Sequence, residues 1–297
     1  MSYDAKILLD SVSESGNRLT TMEVTFPRIV LAEFNTHRVF SRNSASSRAI
    51  PVLTQLMRIE ENPFIPIYWG KNQSGMQADV ELSVNEQELA VAIWLAARGD
   101  MLLRVRELLD LGVHKQIANR LLEPFMWHTV IVTSTEWSNF FALRANPMAQ
   151  PEIRRIAEMM QALYDTSEPT VIERDEWHLP LIQPEEADLV TTQPGMMRQI
   201  SAARCARVSY LTHDGKRDLD ADLTLYKRLV SGGHMSPLEH VATPYGTYTK
   251  KTVGDSYGRV AEVQVWEPAW SGNFYGWKQL RKFIPGEDDF SKVEKSE

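Results

Sequence analysis

The sequence predicts a mixed α/β chain, and three observations lead there. An alternating β-rich stretch gives way to a helical pattern at Pro27, a capped helical pattern runs from Ser83 to Leu111, and β-like runs at 126–133 and 259–266 fall among further helical patterns.

Residues 19–34 read as a strand running into a helix, with Pro27 in the first helical turn, where its missing N–H costs nothing. Ser83 and Glu86 stand at capping-box spacing ahead of apolar residues at helical intervals, and Gly112 follows the last of them. A long helix is expected there, with Gly99 as the place for an interruption. Helical patterns follow at 114–122, 150–165 and 218–231, the last stopped by Gly232-Gly233. Between 166 and 193 the chain is rich in proline and acidic residues, which suits a connection better than a core element. The chain therefore divides into a part at 1–165, the connection 166–193, a part at 194–285 and a charged tail at 286–297 expected to fray.

Composition narrows the function. Of 297 residues, 43% are hydrophobic and 24% charged, enough apolar material for a substantial core. A net charge of −7 argues against a nucleic-acid surface spread over the protein, while leaving room for a basic pocket around one small phosphate. The single cysteine, Cys205, excludes an intrachain disulfide and a multi-cysteine zinc site; in its Ala-Ala-Arg-Cys-Ala-Arg run it reads as core rather than nucleophile. There is no Gly-rich dinucleotide fingerprint, P-loop or paired-histidine zinc motif. Neither a leader pattern nor a bilayer-length apolar run is present, so a cytoplasmic protein is expected.

The densest chemistry lies at Thr36-His37-Arg38-Val39-Phe40-Ser41-Arg42-Asn43-Ser44-Ala45-Ser46-Ser47-Arg48. Arg48 can grip a phosphate monoester with paired hydrogen bonds while Ser46 and nearby backbone N–H groups complete the cradle. A solvated polar turn is the other reading of the same residues. Downstream, Ser236, Pro237 and Glu239 are spaced as N-cap, first helical residue and capping-box partner of a new helix, whose N-terminus would attract phosphate. The alternative is a plain helix start with His234 and His240 as hydrogen-bonded fillers.

The pattern His-Arg-x-x-Ser-x-Asn-x-x-Ser-x-Arg from His37 to Arg48 closely resembles the signature of flavin-dependent thymidylate synthases. So does Asn139-Phe-Phe-Ala-Leu-Arg144 followed by Ala149-Gln-Pro-Glu-Ile153, and so do Ala206-Arg-Val-Ser-Tyr210 and Gly233-His-Met-Ser-Pro-Leu-Glu-His240. In the family the last two motifs precede the arginine-rich one; here they follow it, so the order looks circularly permuted. Permutation is tolerable where termini lie at the surface and close together.

The resemblance implies a twisted, antiparallel-rich sheet with flanking helices and the reductive methylation of dUMP to dTMP. Methylenetetrahydrofolate would supply the carbon, and NADPH would reduce a bound FAD. It implies Arg144 as the residue that stabilises negative charge on the pyrimidine ring. Glu33, Ser44, Ser46, Ser47, Arg48 and Arg120 would complete the nucleotide site. FAD would fall to His37, Arg38, Val39, Asn139, Ser209, Ser236 and Glu239, in a site that the family assembles from several subunits of a homotetramer. Four positions depart from the family. Thr36 replaces an arginine, Glu33 a glutamine, Ser44 a glutamate, and Thr133-Ser134-Thr135 an Asn-x-Arg flavin contact. Gln279 and Arg281 either return a glutamine and an arginine to the site or sit on an edge with exposed cations. Two rival activities follow from the departures: a pyrimidine monophosphate 5-hydroxymethylase on the same scaffold, and a flavin- or nucleotide-binding protein without turnover.

Overall fold

In the computed structural model β1 (Asp4–Ser13) and β2 (Arg18–Pro27) form a hairpin, followed by α1 (Leu31–Asn35), β3 (Ser41–Ser44), α2 (Val52–Glu61), α3 (Val84–Asp110) and α4 (Lys115–Ala118). Then come β4 (Trp127–Ser134), α5 (Ser138–Arg144), α6 (Pro151–Thr166), β5 (Thr170–Ile172), α7 (Ala187–Thr192), α8 (Pro194–Ala206) and α9 (Leu219–Ser231). The chain ends in short strands: β6 (Ala242–Pro244), β7 (Gly246–Gly254), β8 (Val260–Pro268), β9 (Trp270–Ser271), β10 (Phe274–Tyr275) and β11 (Trp277–Gln279). The structure describes residues 2–46, 48–209, 218–254, 260–289 and 291, with Ser209 by its backbone only.

The main sheet has the order β3-β4-β2-β1-β5, antiparallel throughout except for β5, which runs parallel to β1. The fold is therefore mixed α/β, with an antiparallel-rich sheet flanked by helices. β2 is central and buried on both faces, as its apolar and threonine-rich sequence allows. Met22, Val24 and Phe26 project to one face and meet Phe140, Ile153, Ile156 and Met160 of α5 and α6. Each of these fully buried side chains contributes about 1.5–3 kcal/mol by leaving water. Pro27 ends the strand, and a 3-10 turn at Arg28–Val30 carries the chain into α1.

The long helix starts on the expected Ser83/Glu86 capping box and stops before Gly112, whose φ of +76° suits glycine. It is not interrupted at Gly99. One interior glycine costs about 1 kcal/mol relative to alanine, too little to break an otherwise continuous hydrogen-bond ladder. The pattern at 114–122 resolves into α4 and a 3-10 turn at Asn119–Phe125 that accommodates Pro124.

Segment 166–193 supplies β5 to the sheet and His178 to the interior. A buried hydrogen-bond chain passes through that histidine. His178 Nδ1 pairs with Ser11 Oγ at 2.8 Å and its Nε2 with Thr21 Oγ1 at 2.8 Å; Thr21 pairs with Thr133, and Thr133 with His240 Nδ1, at 2.7 Å each. It ties β1, β2 and β4 to the C-terminal part. Burial lowers both imidazoles to a pKa of about 3, so both are neutral. The C-terminal part packs its own core from α8, α9 and the turn at Ser236–Glu239, around Met197, Ile200, Tyr226 and Leu238. Of the expected tail, Glu287 pairs with Arg281 and Lys282, while 290 and 292–297 lie outside the described residues. No helix among the described residues is long and apolar enough to cross a membrane.

Candidate active site

The arginine-rich signature straddles β3 and splits into two polar groups, because successive side chains on a strand point to opposite faces. On one side lies His37, buried, stacked on Phe40 at 5.7 Å between ring centres and met edge-on by Phe140 at 4.9 Å. Arg144, at the end of α5, donates from Nε to His37 Nε2 at 3.0 Å and from Nη2 to Thr36 Oγ1 at 3.2 Å. Burial, with Arg144 and Arg42 nearby, lowers His37 to a pKa of about 4. The ring is therefore neutral, and the Arg144 bond assigns its proton to Nδ1.

Arg42 projects to the same side and donates to the carbonyls of Phe34 and His37. Its own pKa is lowered by burial and then by the charge of Arg38. Among the described residues no carboxylate lies within ion-pair distance of Arg38, Arg42 or Arg144. Arg42 and Arg144 thus act on a neutral imidazole, with Arg38 close to Arg42, and Glu239 offsets part of the charge on Arg42 without an ion pair; the surplus of cations suits an anion. Thr36, which replaces an arginine of the family pattern, accepts from Arg144 and donates to the Glu33 carbonyl at 2.6 Å. A fourth cation there would face Arg144 directly. Glu33, on α1, has one buried carboxylate oxygen, Oε2, without a hydrogen-bond partner.

On the other side Ser41 donates to Glu239 Oε2 at 2.8 Å and accepts from Asn273 Nδ2 and Gln279 Nε2 at 3.0 Å each. Arg281 donates to Glu239 Oε1 at 2.7 Å, and Asn43 donates to the Cys205 carbonyl at 3.3 Å. Gln279 and Arg281 therefore meet the signature strand and Glu239. Sequence reasoning left Arg42, Asn273 and the serine and asparagine of the motif without roles. Asn273 carries no local signal, whereas Arg42 and Ser41 were visible inside the motif.

The turn at Ser236–Glu239 corrects the expectation of a new helix capped by Ser236. It is a single 3-10 turn without a side-chain cap bond. The chain passes straight on to β6, His240 is held by Thr133, and Glu239 is held by Ser41 and Arg281 rather than by the turn's own N–H groups. Ser236 is exposed.

The nucleotide candidates do not gather around Arg144 within one chain. Ser44 is exposed at the end of β3, and Ser46 and Arg48 are exposed on the loop after it, where the Arg48 N–H donates to Ser46 Oγ at 3.3 Å; Ser47 lies outside the described residues. Lys115 and Asn119 anchor that loop through the carbonyls of Ala49 and Ile50. Arg120 makes an ion pair with Glu123 at 2.6 Å. Of the flavin candidates, Val39 is half-buried and Asn139 exposed beside Arg144 on α5; the Ser209 side chain and Tyr210 lie outside the described residues. Cys205 is buried, which raises its thiol pKa, so it is no nucleophile. The loop also borders a cleft of about 360 Å³, walled by Lys6, Glu23, Thr25, Thr129, Gln55 and Arg58. No sequence-derived site residue lines it.

Residues 18–170 match the family model described as thymidylate synthase complementing protein, which takes in the arginine-rich signature and the Arg144 block. The motifs at 206–210 and 233–240 lie beyond the match. No curated protein matches the chain. Among solved structures the chain is similar to a UMP/dUMP methylase, PolB, from Streptomyces cacaoi, in forms bound with 5-Br UMP and with 5-Br dUMP. Identity is 18% and the TM-score 0.46 in both cases; the likeness covers 55% of this chain and 89% and 90% of those chains. With the family model covering more than half of its length, the chain belongs to the thymidylate synthase complementing protein family.

Proposed function

We propose that the chain methylates C5 of dUMP, with methylenetetrahydrofolate as carbon donor and NADPH as reductant acting through FAD. The observation that carries this reading is the group of Arg38, Arg42 and Arg144 near neutral His37, none of them in an ion pair, beside Phe40 and Phe140. Cations and ring edges of this kind fit a flavin dinucleotide, with its pyrophosphate and ring system, and a nucleotide monophosphate next to it. When bound, the flavin supplies the hydride.

Arg144 is held by two bonds that fix its guanidinium, and its Nη1 edge is left for the pyrimidine carbonyl, where it stabilises negative charge on the ring. His37 acts as a positioning residue because it is neutral and accepts from Arg144. Arg48 binds the phosphate with Ser44, Ser46 and Ser47, and Glu33 and Arg120 complete the nucleotide pocket. Asn139, Val39, Ser209, Ser236 and Glu239 hold the flavin with His37 and Arg38. The exposed nucleotide loop and the Arg144 group would be joined in a homotetramer, where one copy completes the site of another. The early and late motifs meet through Ser41 and Glu239, as a single site built from a permuted order requires.

A second reading, 5-hydroxymethylation, rests on Thr133 and Thr135. Thr133 is buried in the hydrogen-bond chain and Thr135 Oγ1 accepts from the Tyr275 N–H at 3.1 Å, so neither replaces the family's flavin contact. The test is the visible spectrum of the purified protein, followed by mass spectrometry of products from dUMP and dCMP. Flavin bands and a product heavier by one methylene support methylation, whereas a gain of one CH₂O identifies the hydroxymethylase. Absence of flavin, or flavin without any product, overturns the methylation reading.

A further inference from the structure

Arg120 does not stand alone on its turn. Glu123 Oε1 faces Arg120 Nη1 at 2.6 Å and Arg28 Nη2 at 3.0 Å, and Arg28 donates from Nη1 to His128 Nδ1 at 3.0 Å. Side-chain exposure rises along this relay, from buried His128 through 13% at Arg28 and 27% at Glu123 to 48% at Arg120. The relay therefore runs from the sheet outward, and its open end is a guanidinium. The Arg28 N–H also donates to the Met126 carbonyl at 2.9 Å, which pins the turn after β2 to the one that bears Arg120. Asn119, the neighbour of Arg120, holds the loop after β3 through the Ile50 carbonyl at 3.0 Å.

Two features exceed what packing requires. Burial keeps His128 neutral, and because Nδ1 accepts from Arg28 the ring proton sits on Nε2, which is buried without a partner. An unmet buried donor is costly, and native structures keep few of them. In addition, one carboxylate is shared by two guanidiniums. Among the described residues neither guanidinium pairs with another carboxylate, so the group keeps a net positive charge.

We propose that Arg28 and Glu123 are positioning residues that hold Arg120 against the phosphate of the substrate nucleotide, an inference that rests on the reading of Arg120 as a nucleotide ligand. Arg120 spends one nitrogen on Glu123 and keeps the rest of its planar fork for phosphate oxygens. A surface arginine otherwise loses its rotamer freedom when the ligand arrives. The relay orders it beforehand, since His128 fixes Arg28 and Arg28 fixes Glu123.

The test uses two substitutions that conserve charge, in the full-length protein. Arg28→Lys reaches His128 or Glu123 but not both, and Glu123→Asp withdraws the carboxylate by one methylene. In calorimetric titrations each should weaken dUMP about 3- to 10-fold. Deoxyuridine, which has no phosphate, should bind as it does to the wild type, whereas a merely structural role would weaken both ligands. Arg120→Ala should weaken dUMP about 10- to 100-fold. Adding Arg28→Lys to it should cost nothing more, because the relay acts only through Arg120. If Arg28→Lys fails to fold, Glu123→Asp decides, its side chain being partly exposed. Charge-conserving variants that bind dUMP within about two-fold of the wild type, beside an impaired Arg120→Ala, overturn the relay and leave the nucleotide reading standing. Additive losses in the double variant, or equal losses for dUMP and deoxyuridine, overturn it as well. Unchanged dUMP affinity in Arg120→Ala overturns the reading of Arg120 and the relay together.

Discussion

Lowering the pH from 7 to 5 at constant salt should remove about 8 kcal/mol of stability, through four histidines. His178 and His240 are fully buried, and His128 and His37 are 2% and 6% exposed; burial lowers the first three to a pKa of about 3 and His37 to about 4. Their unfolded value is about 6.5. Between the folded and unfolded values the unfolded chain binds protons that the folded chain refuses, so stability falls as the pH drops below about 6.5 and continues to fall down to about 3. At pH 5, 1.5 pH units below the unfolded pKa, each histidine costs about 2 kcal/mol, and the four together cost about 8 kcal/mol. Domains of this kind have about 5–15 kcal/mol in total. With a urea dependence of about 3 kcal/mol per molar, the unfolding midpoint should move down by about 2.5 M. Urea titrations followed by circular dichroism at pH 7, 6 and 5 measure this. His178→Gln, which cannot take up a proton, should lose about a quarter of the pH dependence. A midpoint that shifts by less than about 0.5 M between pH 7 and 5 would refute the account of the buried chain.

Thr133→Val keeps the side-chain shape but leaves His240 without its partner, since its other ring nitrogen, Nε2, is already unpaired. A loss of about 2–4 kcal/mol is expected in the same urea assay at pH 7, against about 1 kcal/mol for Thr133→Ser. Arg144→Ala should lower turnover of dUMP about 100- to 1,000-fold while flavin absorbance stays with the protein, which a stopped assay and a spectrum on one sample establish. Arg48→Lys keeps the charge and loses the planar fork, so titration with dUMP should show affinity weakened about 10- to 100-fold at unchanged flavin content. Glu239→Gln removes one of the two carboxylates that hold Arg281, leaving Glu287, and should lower flavin content more than it lowers the urea midpoint.

What was legible in the sequence was local or repeated. Pro27 after an alternating run, the Ser83/Glu86 pair and the glycine at 112 each carry their signal within a few residues; the structure uses the last two as expected, whereas Pro27 ends β2 and the helix begins only at Leu31, after a 3-10 turn. The three-residue β5 was not legible, because its place depends on the end of β1 rather than on its own composition. His178 was hidden for the same reason: nothing near it announces that Ser11 and Thr21 will enclose it. Around the candidate site, the signature did not show its division by β3, since the strand's alternation sends Ser41 and Arg42 to different partners. The helix start expected at Ser236 failed because a capping spacing is necessary but not sufficient, and Glu239 had a stronger partner in Arg281.

The attachment of Ser41 to Glu239, Asn273 and Gln279 also sets a timetable. Ser41 and Glu239 are 198 residues apart in the chain, and Ser41 and Gln279 are 238 apart. At about 5–20 residues per second, the strand bearing Arg42 waits about 10–50 seconds on the ribosome before its last polar partner has been made. A chain cut short by nuclease, stalled translation or a premature stop can form the β1–β2 hairpin but leaves Ser41 without the groups that hold it. The polar group around Ser41 is thus completed only after Gln279 has been made, so shorter products should fail to mature.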